Sequence, residues 1–156
     1  MGWWKSFSRN VGKFGQLSLA HQLVLVQAIV LLPLIALGLR LWGFQAICRL
    51  LERSLPQTAF QPADRQGRNW QGCSGTIARL VQAAAKHGIW RANCLQRSLL
   101  LWWLLRRRGI AAELRIGVSR RTQRLEAHAW VEYEGIVLGD RPDIQQTFTP
   151  FTNPIR

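Results

Sequence analysis

Acidic residues are scarce in this chain. Of its 156 residues only 8 are Asp or Glu, against 21 Lys and Arg, for a formal charge of +13. Such an imbalance predicts attraction to an acidic peptide, nucleic acid or an anionic membrane, although a solvated basic face gives the same number. Cysteine is sparse and odd in number: Cys48, Cys73 and Cys94. They form no CxxC, no Cys/His metal pattern and no framework spacing. That excludes a disulfide scaffold and a metal site of that kind, and argues for free thiols in a reducing compartment. No clear small-residue cleavage site follows the first apolar run, so a signal peptide is not expected despite Lys5, Arg9 and Lys13 ahead of it. No internal repeat is visible.

What is present is enough length for one domain with a core, and 48% hydrophobic residues. Eight Trp are spread over the chain, at Trp3, Trp4, Trp42, Trp70, Trp90, Trp102, Trp103 and Trp130. Most sit in apolar runs while the Arg are scattered. A nucleic-acid module wants a basic stripe with exposed stacking aromatics instead, so none is expected.

The chain divides into an apolar N-terminal helical region over residues 1–55, a linker over 56–73 and a core over 74–156. Residues Met1 to Gln16 are basic and loosely patterned. Ser18 is placed to cap a helix over Leu19 to Leu32, and Pro33 to break it before a second helix over Leu34 to Leu55. From Leu23 to Leu39 only Gln27 is polar. That run borders on the roughly 20 residues a bilayer span needs. Residues 19–55 are therefore either two helices packed on the core or a segment in membrane contact.

Gln57 to Cys73 carries Pro62, Gly67 and Gly72 without periodicity and reads as the linker. Ser74 would cap a helix over Gly75 to His87, with Ile77, Leu80, Val81 and Ala84 at helical spacing and Gly88 as its end. His87 reads as a cap or a solvated group. Asn93 is a good N-cap and makes Cys94 the first residue of a helix to Arg108. That helix is apolar almost all round, which marks it as the central buried one. Arg106 to Arg108 complement its dipole, and Gly109 stops it. The period then changes to two. Strands are expected over Ile110 to Val118, Leu125 to Glu132 and Ile136 to Asp140, with a basic turn at Ser119 to Arg124. Arg141 to Arg156, with Pro142, Pro150 and Pro154, reads as an irregular tail.

Cysteine acts as a nucleophile in its thiolate form, which a helix N-terminus stabilises. Cys94 has that position, and first-turn N–H groups could help form an oxyanion hole. Cys48, inside an apolar helix, suits a packing role better. Taking Tyr133-Glu134-Gly135 as a three-residue hairpin loop puts Glu132 opposite Ile136, Trp130 opposite Leu138 and His128 opposite Asp140. Asp140 would then fix the His128 tautomer and leave the other ring nitrogen for Cys94. A one-residue slip would put the pair on opposite faces. Trp130 shares the His128 face as a candidate site wall. Arg97, one turn from Cys94, is either a core ion-pair partner or a substrate-orienting group. Glu126 and Glu132 read as solvated strand ends.

The stretches Cys94-Leu95-x-Arg97-Ser98-Leu99, Leu104-Leu105-Arg106-Arg107-Arg108-Gly109-Ile110, Glu113-Leu114-Arg115-Ile116-Gly117-Val118 and Ala127-His128-Ala129-Trp130-Val131-Glu132 resemble the leader peptidase of lasso-peptide biosynthesis. That family lies in the transglutaminase-like, papain-like cysteine protease superfamily. The resemblance covers roughly Gly75 to Asp140, with the apolar N-terminal helices also similar. It implies an α+β fold: a central helix on a small antiparallel sheet, preceded by apolar helices. It implies Cys94 as nucleophile, His128 as base and acid, and Asp140 as orienting carboxylate, with no metal and no cofactor. Met1 to Leu55 is too short and apolar for the leader-recognition domain of single-chain versions, so the chain resembles the split form. The resemblance then implies three partners: the precursor's leader peptide, a separate leader-binding recognition-element protein and an ATP-dependent macrolactam cyclase. A cytoplasmic location follows, with residues 19–55 the candidate for membrane contact. An acyltransferase or amidase acting on another peptide is the alternative on the same scaffold.

Overall fold

A computed structural model describes residues 18–56, 70–88, 91–119 and 125–151. The expectations for Met1 to Gln16, for most of the linker, for Trp90, for the basic turn after Ser119 and for the last five residues lie outside these.

The first helix, α1 (Leu19–Arg53), does not break where proline predicts. It runs through Pro33 and breaks instead at Gly43, whose φ of 78° and ψ of 173° are non-helical. A proline removes one N–H bond, but Leu32, Ile35 and Ala36 around it are all buried, and tertiary packing holds most helices in place. Gly43 requires glycine for its backbone angle and not for space, since a Cβ there would meet nothing within 4 Å. Beyond it the chain turns back. A Cβ on Gly38 would lie 2.5 Å from Ile47 Cδ1.

The second helix, α2 (Trp70–His87), begins inside the stretch read as linker. Ser74 is thus an interior, fully buried residue and not a cap. The third, α3 (Cys94–Arg106), starts where predicted. Asn93 accepts from the Gln96 N–H (2.9 Å) while the Gln96 side chain accepts from the Asn93 N–H (3.1 Å), a reciprocal capping box. At its far end the Ile110 N–H reaches Leu105 O and the Gly109 N–H reaches Arg106 O, with Gly109 at φ 80°. This Schellman closure ends the helix slightly earlier than Arg108. The arginine triplet serves that end: Arg106 and Arg107 lie over the rings of Trp102 and Trp103, and Arg108 Nη1 donates to Leu104 O.

Strands β1 (Glu113–Ser119), β2 (Glu126–Tyr133), β3 (Ile136–Leu138) and β4 (Thr149–Pro150) form one antiparallel sheet in the order β3-β2-β1-β4. The C-terminal segment is not an irregular tail. It forms a short helix, α4 (Ile144–Thr147), and then β4, which pairs with the edge of β1. The overall architecture is the expected α+β: apolar N-terminal helices, and α3 packed on a small antiparallel sheet.

Two apolar clusters hold it. The larger joins the inner face of α1 (Val24, Leu25, Ala28, Leu32, Cys48) to α2, to α3 and to Leu114, Val131 and Leu138 of the sheet. Helical region and sheet thus share one core. The smaller cluster, Trp130, Ile144 and Phe148, covers the sheet's other face. The outer face of α1 stays apolar: Leu19, Leu23, Val26, Val30, Leu34, Leu37 and Leu41 are 52 to 77% exposed. Among the described residues α1 is the one helix long and apolar enough to cross a bilayer by length and composition.

Candidate active site

The hairpin does not have the predicted register. Tyr133 pairs with Ile136, Glu132 with Val137 and Val131 with Leu138. The turn is the two-residue Glu134-Gly135, with φ of 50° and 77°. Two positive φ values match the strand twist of a tight hairpin. A ladder continued in this register would set Ala129, not His128, opposite Asp140.

The two side chains meet nonetheless. The ladder stops at Leu138, and Gly139 at φ 72° swings the chain out of the sheet. Asp140 Oδ2 then lies 2.7 Å from His128 Nε2. Both side chains are about four-fifths shielded from solvent. Asp140 Oδ1 accepts from the Arg141 N–H (2.8 Å), which fixes the carboxylate's second oxygen. With the Nε2 proton held by Asp140, the lone pair of a neutral ring is on Nδ1.

Gly139 is the hinge of this arrangement. The Gln82 side chain of α2 donates to its carbonyl. A Cβ at this position would sit 2.8 Å from Leu101 Cδ2 and 3.2 Å from Ala78 Cβ. Gly139→Ala therefore combines overpacking with a left-handed backbone. It is expected to destabilise the fold by about 1–3 kcal/mol and to displace Asp140. An unchanged thermal midpoint would show that the contact with α3 and α2 is slack.

Cys94 occupies the first turn of α3 and is half-buried. One turn on, Ser98 Oγ donates to Ala129 O (2.8 Å), which locks the start of the helix beside the neighbour of His128. The structure records no hydrogen bond between the Cys94 thiol and His128. Strand alternation explains this. Val131 and Leu114 face the α3 core, whereas His128 shares its face with Trp130. The site thus brings His128 and Asp140 together, while Cys94 opens the helix that Ser98 ties to the strand residue next to His128. Of the other thiols, Cys73 is exposed. Burial, followed by the charge of Glu52, pushes the Cys48 thiol up to about 11, so it stays protonated at neutral pH.

Trp130 is fully buried and lies alongside His128, ring centroids 6.4 Å apart at 18°. Phe148, from the segment after α4, stands 5.1 Å from the His128 ring on its own side. The sequence reading missed Phe148, although Ile144 and Phe148 at a spacing of four carried an apolar signal. Glu132 is also not the solvated strand end expected of it. It is buried and accepts from Arg115 Nε (3.1 Å), Trp130 Nε1 (2.6 Å) and Gln145 Nε2 (2.8 Å). Glu126 is exposed, as expected. Arg97 makes no ion pair among the described residues, and its Nε is buried without a hydrogen-bond partner. Among the described residues no group of three or more His, Cys, Asp or Glu is placed to hold a metal ion.

A capped helix opening on a cysteine, packed on an antiparallel sheet that carries a His–Asp pair, defines an α+β scaffold. Within that class the chain belongs to the transglutaminase-like superfamily: a family model of that description matches residues 28–153. No curated protein and no solved structure gives a significant match.

Proposed function

We propose that the protein is a cysteine peptidase that removes the leader from a ribosomally made lasso-peptide precursor. The observation that carries this is the His128–Asp140 pair in a transglutaminase-like chain whose central helix opens on Cys94. The motif resemblance around Cys94 and His128 supports a lasso precursor as the substrate. Catalytic hydrogen bonds are often long before substrate binds, and this reading requires Cys94 and the His128 ring to close on each other when the precursor docks.

In the reaction His128 Nδ1 takes the proton from Cys94 Sγ, and the thiolate attacks the carbonyl at the leader–core junction. First-turn N–H groups of α3 stabilise the tetrahedral oxyanion. The C–N bond breaks as His128 returns the proton to the departing amine, which becomes the core's new N-terminus. Water then gives a proton to His128 and its oxygen to the acyl-enzyme. The leader leaves as a carboxylate and the thiol is restored. Asp140 keeps the ring oriented throughout. The partners proposed with this role are a leader-binding protein that presents the precursor and an ATP-dependent cyclase that joins the freed amine to a side-chain carboxyl.

The test is reconstitution with precursor and leader-binding protein, read by mass spectrometry. Free leader and core fragments are expected, and alkylating Cys94 with iodoacetamide should stop their appearance. Undiminished cleavage by fully alkylated protein would reject the thiol mechanism. A new amide on the leader in place of a free carboxyl would replace hydrolysis with acyl transfer.

The proposed location is the cytoplasmic face of a membrane. The inner face of α1 is packed into the core, so its exposed apolar face is available for peripheral contact rather than for a span. The net charge of +13 favours an anionic leaflet. Flotation with phosphatidylserine vesicles should carry the protein upward, and phosphatidylcholine vesicles much less. Protein that stays at the bottom with both would place it in solution.

A further inference from the structure

A cleft of about 480 Å³ lies between the C-terminal half of α2 and the start of α3. Arg79, Gln82, Lys86, Arg91, Ala92 and Arg97 line it, and among the described residues no acidic one does. Four cations in one cleft repel one another, and none has an ion pair among the described residues. Among the described residues Arg79 Nη2 reaches the Thr76 hydroxyl alone, 3.2 Å away. Arg97 Nε is buried with no acceptor among the described residues. Buried donors in native structures are nearly always satisfied, so a donor left unsatisfied beside an open cleft is suited to an acceptor brought by a ligand.

The position of the cleft restricts what brings that acceptor. Arg97 is three residues from Cys94 on α3, and side chains at that spacing are neighbours on a helix surface. On the other side Gln82 donates to Gly139 O, next to Asp140. The cleft therefore adjoins both ends of the proposed catalytic arrangement. An extended peptide advances about 3.3–3.6 Å per residue, so a chain crossing Cys94 passes the cleft within a few residues of the cut. No aromatic side chain among the described lining residues offers a platform for a nucleobase.

We infer that this cleft is a subsite for an Asp or Glu side chain of the peptide substrate, close to the scissile bond, with Arg97 as its inner anchor. The inference rests on the peptidase reading for the identity of the substrate. The four guanidinium and ammonium groups supply charge-assisted bonds to the carboxylate, and Arg97 fixes its depth.

The experiment is fluorescence anisotropy on the full-length Cys94→Ala protein, so that no cleavage is needed. The probes are a fluorescein-labelled peptide rich in Glu and the same peptide with Gln in place of Glu. The Glu peptide is expected to bind and the Gln peptide to bind weakly or not at all. Arg97→Gln should weaken Glu-peptide binding about ten- to hundredfold. Arg79 is exposed and Lys86 is too, so Arg79→Gln with Lys86→Gln keeps the fold and should also weaken binding about tenfold or more. The charge-matched pair Arg49→Gln and Arg53→Gln, on α1, should change it by less than about twofold, in line with screened surface charge. Equal losses in the two double variants would overturn the subsite in favour of diffuse attraction. So would a labelled oligothymidylate that binds more tightly than the Glu peptide and is weakened by the same cleft variants. If wild-type protein cleaves its precursor while cleft variants bind the Glu peptide normally, the subsite alone is rejected. If the Glu peptide binds as expected and the wild-type protein cleaves nothing, the peptidase reading alone falls.

Discussion

Cys94→Ala is expected to abolish leader removal, a fall on the order of 10⁵–10⁶-fold, as when the nucleophile of a catalytic triad is deleted. Alanine is the best helix former, and the Asn93–Gln96 capping box does not involve the thiol, so the start of α3 should be unchanged. A far-UV circular dichroism spectrum and thermal midpoint equal to wild type would establish that chemistry and not folding was lost. His128→Ala should fall nearly as far. Asp140→Asn is expected to lose less, on the order of 10⁴-fold, because the amide keeps the shape of the carboxylate but no longer enforces the Nε2–H tautomer or stabilises the imidazolium. The measurement is the initial rate of core-peptide release with the leader-binding protein present. Wild-type cleavage by Cys94→Ala would remove Cys94 as nucleophile. Wild-type cleavage by Asp140→Asn would reduce the 2.7 Å contact with His128 to a structural pairing.

The steps of this site differ in how far sequence displays them. The position of Cys94 is readable because a helix start is a local event: Asn93 caps, Gln96 closes the box, and the apolar run follows at once. Its end is readable for the same reason, through Gly109 and the arginines before it. The His128–Asp140 contact is different. Both residues could be picked out, but the geometry that joins them is not the one that counting gives. Glu134 at φ 50° is unusual for a non-glycine residue, so Tyr133-Glu134-Gly135 looks like a longer loop than it is. The register shifts by one, and the departure of Gly139 from the sheet restores the contact. That departure is set by Leu101, Ala78 and Gln82, which lie on two other helices. No pattern local to the hairpin contains it.

The same division accounts for the remaining differences. Pro33 is a strong breaker signal, yet buried neighbours on both sides keep α1 continuous there. Gly43 carries a weaker signal and is the actual break. The stretch after Asp140 looks irregular because α4 and β4 are each too short to show periodicity. Their placement comes from the edge of β1 and from the face of Trp130, both distant in sequence. The outcome matters for function, because Phe148 from that segment stands against the catalytic imidazole proposed above.

Glu132→Ala should destabilise the sheet by about 3–5 kcal/mol, because it removes a buried carboxylate that satisfies three donors at once. The carboxylate sits where three elements meet. Arg115 reaches it from β1, Trp130 from its own strand and Gln145 from α4. Without it the Trp130 indole N–H loses its acceptor inside the smaller apolar cluster, and Arg115 retains only Glu113 at 3.0 Å. Gln145 keeps its bond to Gly135 O, so the hairpin turn stays attached to α4 while the face beneath it loosens. Glu132→Gln, which preserves an acceptor for Trp130 but not the charge facing Arg115, should cost less, about 1–3 kcal/mol. Urea unfolding separates the two. The midpoint should fall in the order wild type, Glu132→Gln, Glu132→Ala, with little change of slope, since the exposed surface on unfolding is nearly the same. Activity should follow stability here. Trp130 and Phe148 flank His128, and a loosened cluster lets the imidazole turn away from Asp140. A Glu132→Ala protein as stable as wild type would mean that Arg115 and Trp130 find water or other acceptors at no cost, and that the network does not hold the sheet to α4.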